Sequence, residues 1–121
     1  MKKVLVAEDS SVIQNLTKKI LEFQNYKIYS AKNGKDVLAM LEDESFDVIL
    51  MDINMPVMDG MECARTIRKL TDKAKAAIPI IAITGNAKNY SEEDFKAAGV
   101  TFYMQKPLNF DILVEKVKEL A

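Results

Sequence analysis

Charged and hydroxyl residues follow four short apolar runs of this 121-residue chain. They are Glu8 and Asp9 after residues 4–7, Asp52 after residues 48–51, Thr84 after residues 80–83, and Lys106 shortly after residues 102–104. A single aspartate after a strand usually caps the next turn. Four strand ends of this kind instead favour one shared polar site, since open α/β sheets bind ligands at the carboxyl ends of their strands.

The acidic members of this set, Glu8, Asp9 and Asp52, would repel one another and take up protons unless a cation lay among them. Carboxylate oxygens without imidazole or thiolate suit Mg²⁺, or Mn²⁺ as a substitute, and Mg²⁺ commonly keeps waters and a phosphate oxygen. Lys106 could supply positive charge to a bound phosphoryl group, and Thr84 a hydroxyl donor. With these partners, Asp52 could act as a nucleophile and become an acyl phosphate.

Asp52 must be presented by residues 46–60, the stretch around which the chain is organised. Residues 48–51 are continuously apolar, as in a strand of a parallel sheet that helices cover on both faces. Pro56 and the pair Asp59-Gly60 then break the pattern. We therefore expect Asp52 at the carboxyl edge of a central strand.

The rest of the chain alternates strand and helix patterns. Predicted strands are residues 4–7, 27–31, 46–51, 80–83 and 101–104, and helices begin near Ser10 or Ser11, Asn33-Gly34, Asp59, Ser91 and Asn109. This alternation predicts a doubly wound α/β fold, with a five-stranded parallel sheet and five helices. The strand order 2-1-3-4-5 fits the length and brings Glu8, Asp9 and Asp52 together. Residues 69–77 are predicted to form a polar loop, and residues 1–121 one domain.

Local signals predict the helix ends and faces. Ser11 and Gln14 are spaced for a capping box on the first helix. The predicted buried stripe of that helix is Ile13, Leu16, Ile20 and Phe23. Ser91 with Asp94 predicts a capping box on the fourth helix, and Gly99 predicts its end.

The composition, with 49% apolar residues and a formal charge of -1, is that of an ordinary globular domain. It gives no electrostatic sign of nucleic-acid binding, and the apolar runs are too short for a signal peptide or a membrane span. We therefore expect a cytoplasmic protein without direct nucleic-acid binding or membrane insertion. Cys63 is the single cysteine and is predicted to be a small buried helix residue. The absence of histidine excludes Ser-His and Cys-His catalysis within this chain.

Over its whole length the sequence resembles a receiver domain of the two-component response regulators, in the single-domain, CheY-like form. The resemblance lies in Glu8-Asp9, MDINMPVMDG at residues 51–60, Thr84 after IIAI, and Lys106-Pro107 after FYMQ. It implies that Asp52 is the phosphoacceptor and that Asp9 and Asp52 bind Mg²⁺ directly. By the same resemblance, the Asn54 backbone carbonyl is a further ligand, Glu8 acts through water, and the Lys106-Pro107 peptide is cis.

The resemblance also implies a conformational switch. Tyr103 occupies the position of the family's switch aromatic and would act with Thr84; without the resemblance it would read as a partly buried strand aromatic. Gly85 departs from the alanine that is common after the threonine. Asn54 and Asn86 stand where the family tunes the lifetime of the phosphoryl group, and two amides there predict no particular lifetime.

The predicted function is a phosphoacceptor that takes a phosphoryl group onto Asp52 from a histidine kinase or a phosphotransfer protein. It would assist its own phosphorylation and dephosphorylation without being an enzyme in the ordinary sense. It would then relay the group to a second histidine or bind a target protein through its fourth helix, fifth strand and last helix.

Other interpretations remain open on the residues alone. The chain could be a receiver excised from a hybrid histidine kinase or a larger regulator. A phosphatase of the haloacid-dehalogenase type also uses a strand-end aspartate. Such enzymes resemble one another in a DxD pattern on the first strand, whereas here the candidate nucleophile follows the third strand. A flavodoxin-like cofactor carrier would need a phosphate-binding loop where Glu8-Asp9 stands.

Overall fold

The apolar runs pair into a parallel sheet of order β2-β1-β3-β4-β5 in the computed structural model, which describes residues 1–85 and 90–121. The strands are β1 (Lys3–Ala7), β2 (Lys27–Ala31), β3 (Val48–Asp52), β4 (Ile80–Thr84) and β5 (Phe102–Gln105). The helices of the described residues are α1 (Ser11–Phe23), α2 (Gly34–Asp43), α3 (Gly60–Arg68), α4 (Lys73–Ala76), α5 (Glu92–Ala98) and α6 (Phe110–Leu120). The predicted fold class and strand order are confirmed. No helix in the described ranges is long and apolar enough to cross a membrane.

The strand register brings the predicted site residues to one edge of the sheet. Ala7 pairs with Met51, Asp52 with Ile83, and Thr84 with Gln105. Every residue of β3 and β4 is buried, as expected for continuous apolar runs covered on both faces. The residues that follow β1, β3, β4 and β5 therefore emerge side by side.

Alternate residues of each central strand face two separate hydrophobic layers. In β3, Val48 and Leu50 pack with the layer under α1 and α6, while Ile49 and Met51 pack with the layer under α2, α3 and α5. This period of two is the geometry of a strand, and it places helices on both faces of the sheet.

The described part of the chain contains one helix more than the five predicted. The segment predicted as a polar loop, residues 69–77, includes the short helix α4. Asp72 caps it by accepting from the backbone N–H groups of Ala74 and Lys75. Arg68 then secures its end by donating to the carbonyls of Ala76 and Ile78, both at 2.7 Å. One helical turn with no buried residue has no apolar periodicity to detect.

The predicted face of α1 is wrong in part. Leu16 is 47% exposed and Phe23 is 85% exposed, while Gln14, Thr17 and Leu21 face the sheet. The cap is Ser10, whose side chain accepts from the Ile13 N–H. The predicted Ser11–Gln14 capping box is therefore also wrong, because Gln14 points inward.

The other predicted helix signals are confirmed. Ser91 and Asp94 form a reciprocal capping box at the start of α5, and Gly99 ends that helix with a φ of 84°. Asp59 caps α3, and the buried Cys63 lies on the inner face of that helix. The cap at Asp59 matters for function because it marks where the loop that follows Asp52 ends.

Candidate functional site

Asp52 is the last residue of β3, and its carboxylate is buried at the carboxyl edge of the sheet. Its Oδ1 accepts from the Asn54 backbone N–H at 3.0 Å. Its Oδ2 lies 3.2 Å from Nζ of Lys106. Both oxygens are therefore oriented by donors, and one of these donors carries a full positive charge.

Glu8 and Asp9 bring two more carboxylates to Asp52. One oxygen from each of the three residues lies within 4.8 Å of the others. Glu8 is buried and its Oε1 accepts from the Ser10 N–H at 3.1 Å, whereas Asp9 is exposed. The sequence prediction that these three residues meet is confirmed. An oxygen-only set of this kind has the donor chemistry that Mg²⁺ prefers.

Lys106 connects the two ends of the site. Its Nζ is 3.2 Å from Asp52 Oδ2 and 3.7 Å from Glu8 Oε2. Its backbone N–H donates to the Thr84 carbonyl at 2.8 Å, which continues the β4–β5 ladder beyond the strand ends. The predicted cis peptide between Lys106 and Pro107 is present.

Glu8 responds both to its burial and to the carboxylate beside it. The pKa of Glu8 is raised to about 7, mainly by burial and in smaller part by the charge of Asp52 and a hydrogen bond with it. The hydrogen bond from the Ser10 N–H and the charge of Lys106 act in the opposite direction. Near neutral pH, without a cation, Glu8 is therefore close to half protonated.

Thr84 and Tyr103 share one face of the sheet. Thr84 is the buried last residue of β4, and Tyr103 pairs with Ala82, two residues before it. Since residues two apart in a strand point to the same side, both side chains face the layer under α5. Tyr103 is 39% exposed, and its ring stacks on Phe95 of α5.

Gly85 borders the site without a steric need for glycine. A Cβ built on Gly85 would lie 3.8 Å from Asn54 Nδ2 and 4.0 Å from Lys106 Cδ, which are ordinary contact distances. The alanine from which Gly85 departs would therefore fit. Asn54 is exposed beside Gly85, while the predicted lifetime position Asn86 lies outside the described residues.

Two residues near the site were missed in the sequence. The Gln14 amide donates to the carbonyls of Ala31 at 2.9 Å and Glu8 at 3.3 Å, and so fixes the carboxyl ends of β1 and β2. Val57 has a φ of 70° in a three-residue turn closed by Met58 N–H and Pro56 C=O. The sequence signal for Gln14 is its position on α1, which also fits the spacing of a capping box and therefore does not reveal its contact with the strand ends. Nothing in the sequence marks Val57, since a β-branched residue is disfavoured there.

An apolar groove adjoins the site on the α1 side. It has a volume of about 500 Å³ and is lined by Ile13, Leu16, Lys106, Pro107, Leu108 and Phe110. Lys106 belongs to both the groove and the acidic site. The exposed apolar residues of α1 therefore continue directly into the surface around Asp52.

Comparison with known proteins places this arrangement in a family. The family model described as "Response regulator receiver domain" matches residues 4–118. Hybrid signal transduction histidine kinase I of Dictyostelium discoideum is 38% identical over 95% of this chain, which spans 7% of that kinase. The response regulator DivK of Brucella anthropi is 29% identical over 97% of this chain and 94% of its own length. The chain spans less than a tenth of the first curated relatives it matches.

Solved structures agree with the sequence relatives. The response regulator TrrA of Thermotoga maritima, solved in complex with Mg(2+)-BeF, is 36% identical over the full length of both chains with a TM-score of 0.86. The receiver domain of the sensor histidine kinase PA1611 of Pseudomonas aeruginosa is 29% identical, with a TM-score of 0.88 over 98% of this chain and 96% of that one. That structure has a magnesium ion coordinated in its active site cleft.

These matches do not favour the phosphatase and flavodoxin-like interpretations. The receiver model covers nearly the whole chain, including both acidic strand ends and the lysine. Its family consists of phosphoacceptor signalling domains of two-component systems. The chain belongs to the response regulator receiver domain family.

Proposed function

We propose that Asp52 accepts a phosphoryl group from a phosphohistidine of a kinase or phosphotransfer protein, within a receiver domain formed by residues 1–121. The observation that carries this proposal is the setting of the Asp52 carboxylate. It is buried at the end of a central strand, yet it lies 3.2 Å from the Lys106 ammonium and within one oxygen cluster with Glu8 and Asp9. A buried aspartate among these groups is suited to phosphoryl chemistry, in addition to capping the turn at Asn54.

In the proposed step, a carboxylate oxygen of Asp52 forms a bond to phosphorus as the bond between phosphorus and the donor's imidazole nitrogen breaks. The imidazole leaves with the electron pair and is protonated by water. The Asn54 N–H already holds Oδ1, so the carboxylate is oriented before the donor arrives. Lys106 can exchange a carboxylate contact for the negative phosphoryl oxygens, which keeps its charge paired throughout. Hydrolysis of the acyl phosphate by water would restore the Asp52 carboxylate and release inorganic phosphate.

Mg²⁺ fits this site, with Mn²⁺ as a possible substitute. The proposed ligands are Asp9, Asp52 and the Asn54 backbone carbonyl, with Glu8 acting through water. When bound, the cation supplies the positive charge that lets a phosphoryl group approach three carboxylates. The raised pKa of Glu8 is consistent with this assignment, because burial is its main cause and the neighbouring Asp52 carboxylate adds to it. Two similar receivers support it independently: the PA1611 domain, with magnesium in its active site cleft, and TrrA, in complex with Mg(2+)-BeF.

The groove beside Lys106 favours a protein as the physiological phosphodonor. Leu16 is 47% exposed, and Val12 on the same helix is also exposed, next to a groove that ends at Lys106. A small phosphodonor would need only the polar site. A helix of a phosphodonor protein could cover this apolar surface while its histidine reached Asp52. The partner proposed for this groove is therefore a helical phosphodonor protein.

The proposed output is a population shift at Thr84 and Tyr103. A phosphoryl group on Asp52 adds acceptor oxygens, and Thr84 offers a hydroxyl donor at the neighbouring strand end. Movement of Thr84 toward the phosphoryl group would open space for the Tyr103 ring. The face formed by α5, β5 and α6 would then change, and a target protein would bind the new arrangement.

Relay of the phosphoryl group to a second histidine is the other proposed output. The expected cytoplasmic location and the expected lack of direct nucleic-acid binding stay predictions.

Incubation with Mg²⁺ and phosphoramidate, followed by intact-mass measurement, tests the proposal. The parent protein and Asp43→Asn, a change at the exposed end of α2, should each gain one phosphoryl group. Asp52→Asn should gain none. Equal labelling of Asp52→Asn would overturn the assignment of the phosphoacceptor.

A further inference from the structure

The ring of Tyr103 lies flat on the ring of Phe95. The two centroids are 4.4 Å apart and the ring planes differ by only 9°. Phe95 is buried in the layer between the sheet and α5, whereas Tyr103 is 39% exposed. Phe95 is therefore the fixed member of the pair, and Tyr103 is the ring with room to move.

Phe95 is also restrained from another direction. The ring of Tyr90, just before α5, contacts it at a centroid distance of 5.8 Å and a tilt of 54°. Phe95 thus lies between two tyrosines that approach it at different angles. Its neighbour Ala98 is buried on the same helix, so the inner face of α5 leaves Phe95 little freedom.

We propose that Phe95 holds Tyr103 in its exposed position and thereby sets how readily the domain switches. This inference rests on the proposed Thr84–Tyr103 switch and adds the residue that opposes it. Tyr103 can reach Thr84 without crossing the sheet, because both face the α5 layer. To do so its ring must leave the stack, so the stacking energy favours the resting state.

The expected size of the effect follows from aromatic pairs in general. A pair of this kind changes the ratio of two states by about 2- to 12-fold beyond the contribution of buried area. Replacement of Phe95 by an aliphatic residue should therefore raise the unphosphorylated population with Tyr103 turned inward by about that factor. Phe95 would act as a positioning residue, since it touches neither Asp52 nor its ligands.

Simple core packing is the competing account, and the chain offers a matched control. Phe102 precedes Tyr103 on β5 but packs on the opposite face of the sheet, where Lys116 Nζ lies 4.6 Å from its ring centroid. Phe102→Leu makes the same side-chain change as Phe95→Leu, at a partly buried position next to Tyr103, and so tests the effect of lost packing alone. It leaves the Phe95–Tyr103 stack in place.

The experiment follows the Tyr103 ring by NMR in the full chain with ¹³C-labelled tyrosine. Four tyrosines are present, and the Tyr103→Phe variant assigns the signal. Parent, Phe95→Leu and Phe102→Leu are compared without phosphodonor and with Mg²⁺ and phosphoramidate. The Tyr103 signal compared is the set of NOEs from its ring to the Thr84 methyl group, because loss of the Phe95 ring current alone would move the chemical shift. In unphosphorylated Phe95→Leu these NOEs should approach those of the phosphorylated parent, and in Phe102→Leu they should not. Phe95→Met replaces Phe95→Leu if the latter does not fold.

The outcomes separate this inference from the proposal beneath it. A Tyr103 signal in Phe95→Leu or Phe95→Met that matches the unphosphorylated parent overturns the role of Phe95, while the switch stands if the parent shifts on phosphorylation. An equal change in Phe102→Leu also overturns it, since a general loss of packing around β5 would then explain the result. A parent whose Tyr103 signal does not respond to phosphorylation overturns the switch itself and this inference with it.

Discussion

The ammonium group of Lys106 lies 3.2 Å from the Asp52 carboxylate, although 54 positions separate the two residues in the chain. The contact exists because β3 and β5 flank β4 and end at the same edge of the sheet. The same ammonium is 3.7 Å from Glu8, which follows β1. The lysine, which follows β5, therefore joins side chains supplied by two other strands, β1 and β3.

Lys106→Arg should fold normally but transmit phosphorylation poorly. Arginine keeps the charge, but its planar fork is longer and cannot replace a compact ammonium between two buried carboxylates. We expect a free energy of unfolding within about 1 kcal/mol of the parent. Phosphorylation-induced amide shifts at residues 90–98 and Tyr103 should shrink. Parent-like shifts throughout that range would argue against a contact between Lys106 and the phosphoryl group.

Glu8 should make the stability of the magnesium-free protein fall as the pH rises. Its folded-state pKa of about 7 exceeds the usual value of 4.5, so the folded state binds the extra proton between these values. The contribution of Glu8 to stability is therefore fully present below about pH 4.5, and about 3 kcal/mol of it is lost as the pH rises through 7.

Chemical denaturation at several pH values tests this prediction, with Glu8→Gln as the control. The glutamine variant should lose this part of the pH dependence, because it has no proton to release there. The affinity for Mg²⁺ should rise over the same window, since the cation favours the ionised carboxylate. A parent whose stability and Mg²⁺ affinity are flat from about pH 5 to about pH 8 would contradict the burial argument.

Val57→Gly should stabilise the protein by about 0.5–1 kcal/mol. Val57 has a φ of 70°, which costs an L-residue about 1–2 kcal/mol and is least suited to a β-branched side chain. Glycine removes that strain but adds entropy to the unfolded chain, which offsets part of the gain. The side chain is 69% exposed, so little packing is lost.

Urea denaturation of Val57→Gly beside Val57→Ala separates strain from packing. Alanine keeps Cβ and hence most of the strained conformation, so it should remain close to the parent. A glycine variant less stable than the alanine variant would show that the turn is not strained.

Thr84→Ala should uncouple phosphorylation from the output face. The variant retains Asp52, the acidic pair and Lys106, so it should still gain a phosphoryl group. Without the hydroxyl, the phosphoryl group cannot favour the shifted arrangement through this residue. Thr84→Ser keeps the hydroxyl and should retain amide shifts at residues 90–98 on phosphorylation. Equal shifts in the alanine and serine variants would rule out the hydroxyl as the link.

The sheet and the acidic site were predictable because their signals are local. Continuous apolar runs identify buried strands, and the residue that ends each run must lie at the carboxyl edge. The face of α1 was not predictable in this way. Periodicity favoured Leu16 and Phe23 as buried residues, but the polar Gln14 and Thr17 take the inner face because Gln14 bonds to strand-end carbonyls. The remaining apolar side chains of α1 stay exposed.

Contacts between elements that are distant along the chain also could not be predicted from the sequence. The stack of Tyr103 on Phe95 depends on how α5 lies over β5, and no spacing along the chain encodes it. The helix α4 depends on Arg68 and Asp72, which bond to a segment without an apolar face. Such features become visible only once the elements are assembled.

The central claim is that Asp52 is the phosphoacceptor, and trapping the adduct at its site tests it most directly. The parent protein is incubated with Mg²⁺ and phosphoramidate, reduced with borohydride, digested and sequenced by mass spectrometry. Reduction converts an aspartyl phosphate to homoserine, so the account predicts homoserine at position 52 only, and none without the phosphodonor. Homoserine at position 9, or a phosphoryl group retained on a serine or threonine while Asp52 stays unmodified, would contradict it.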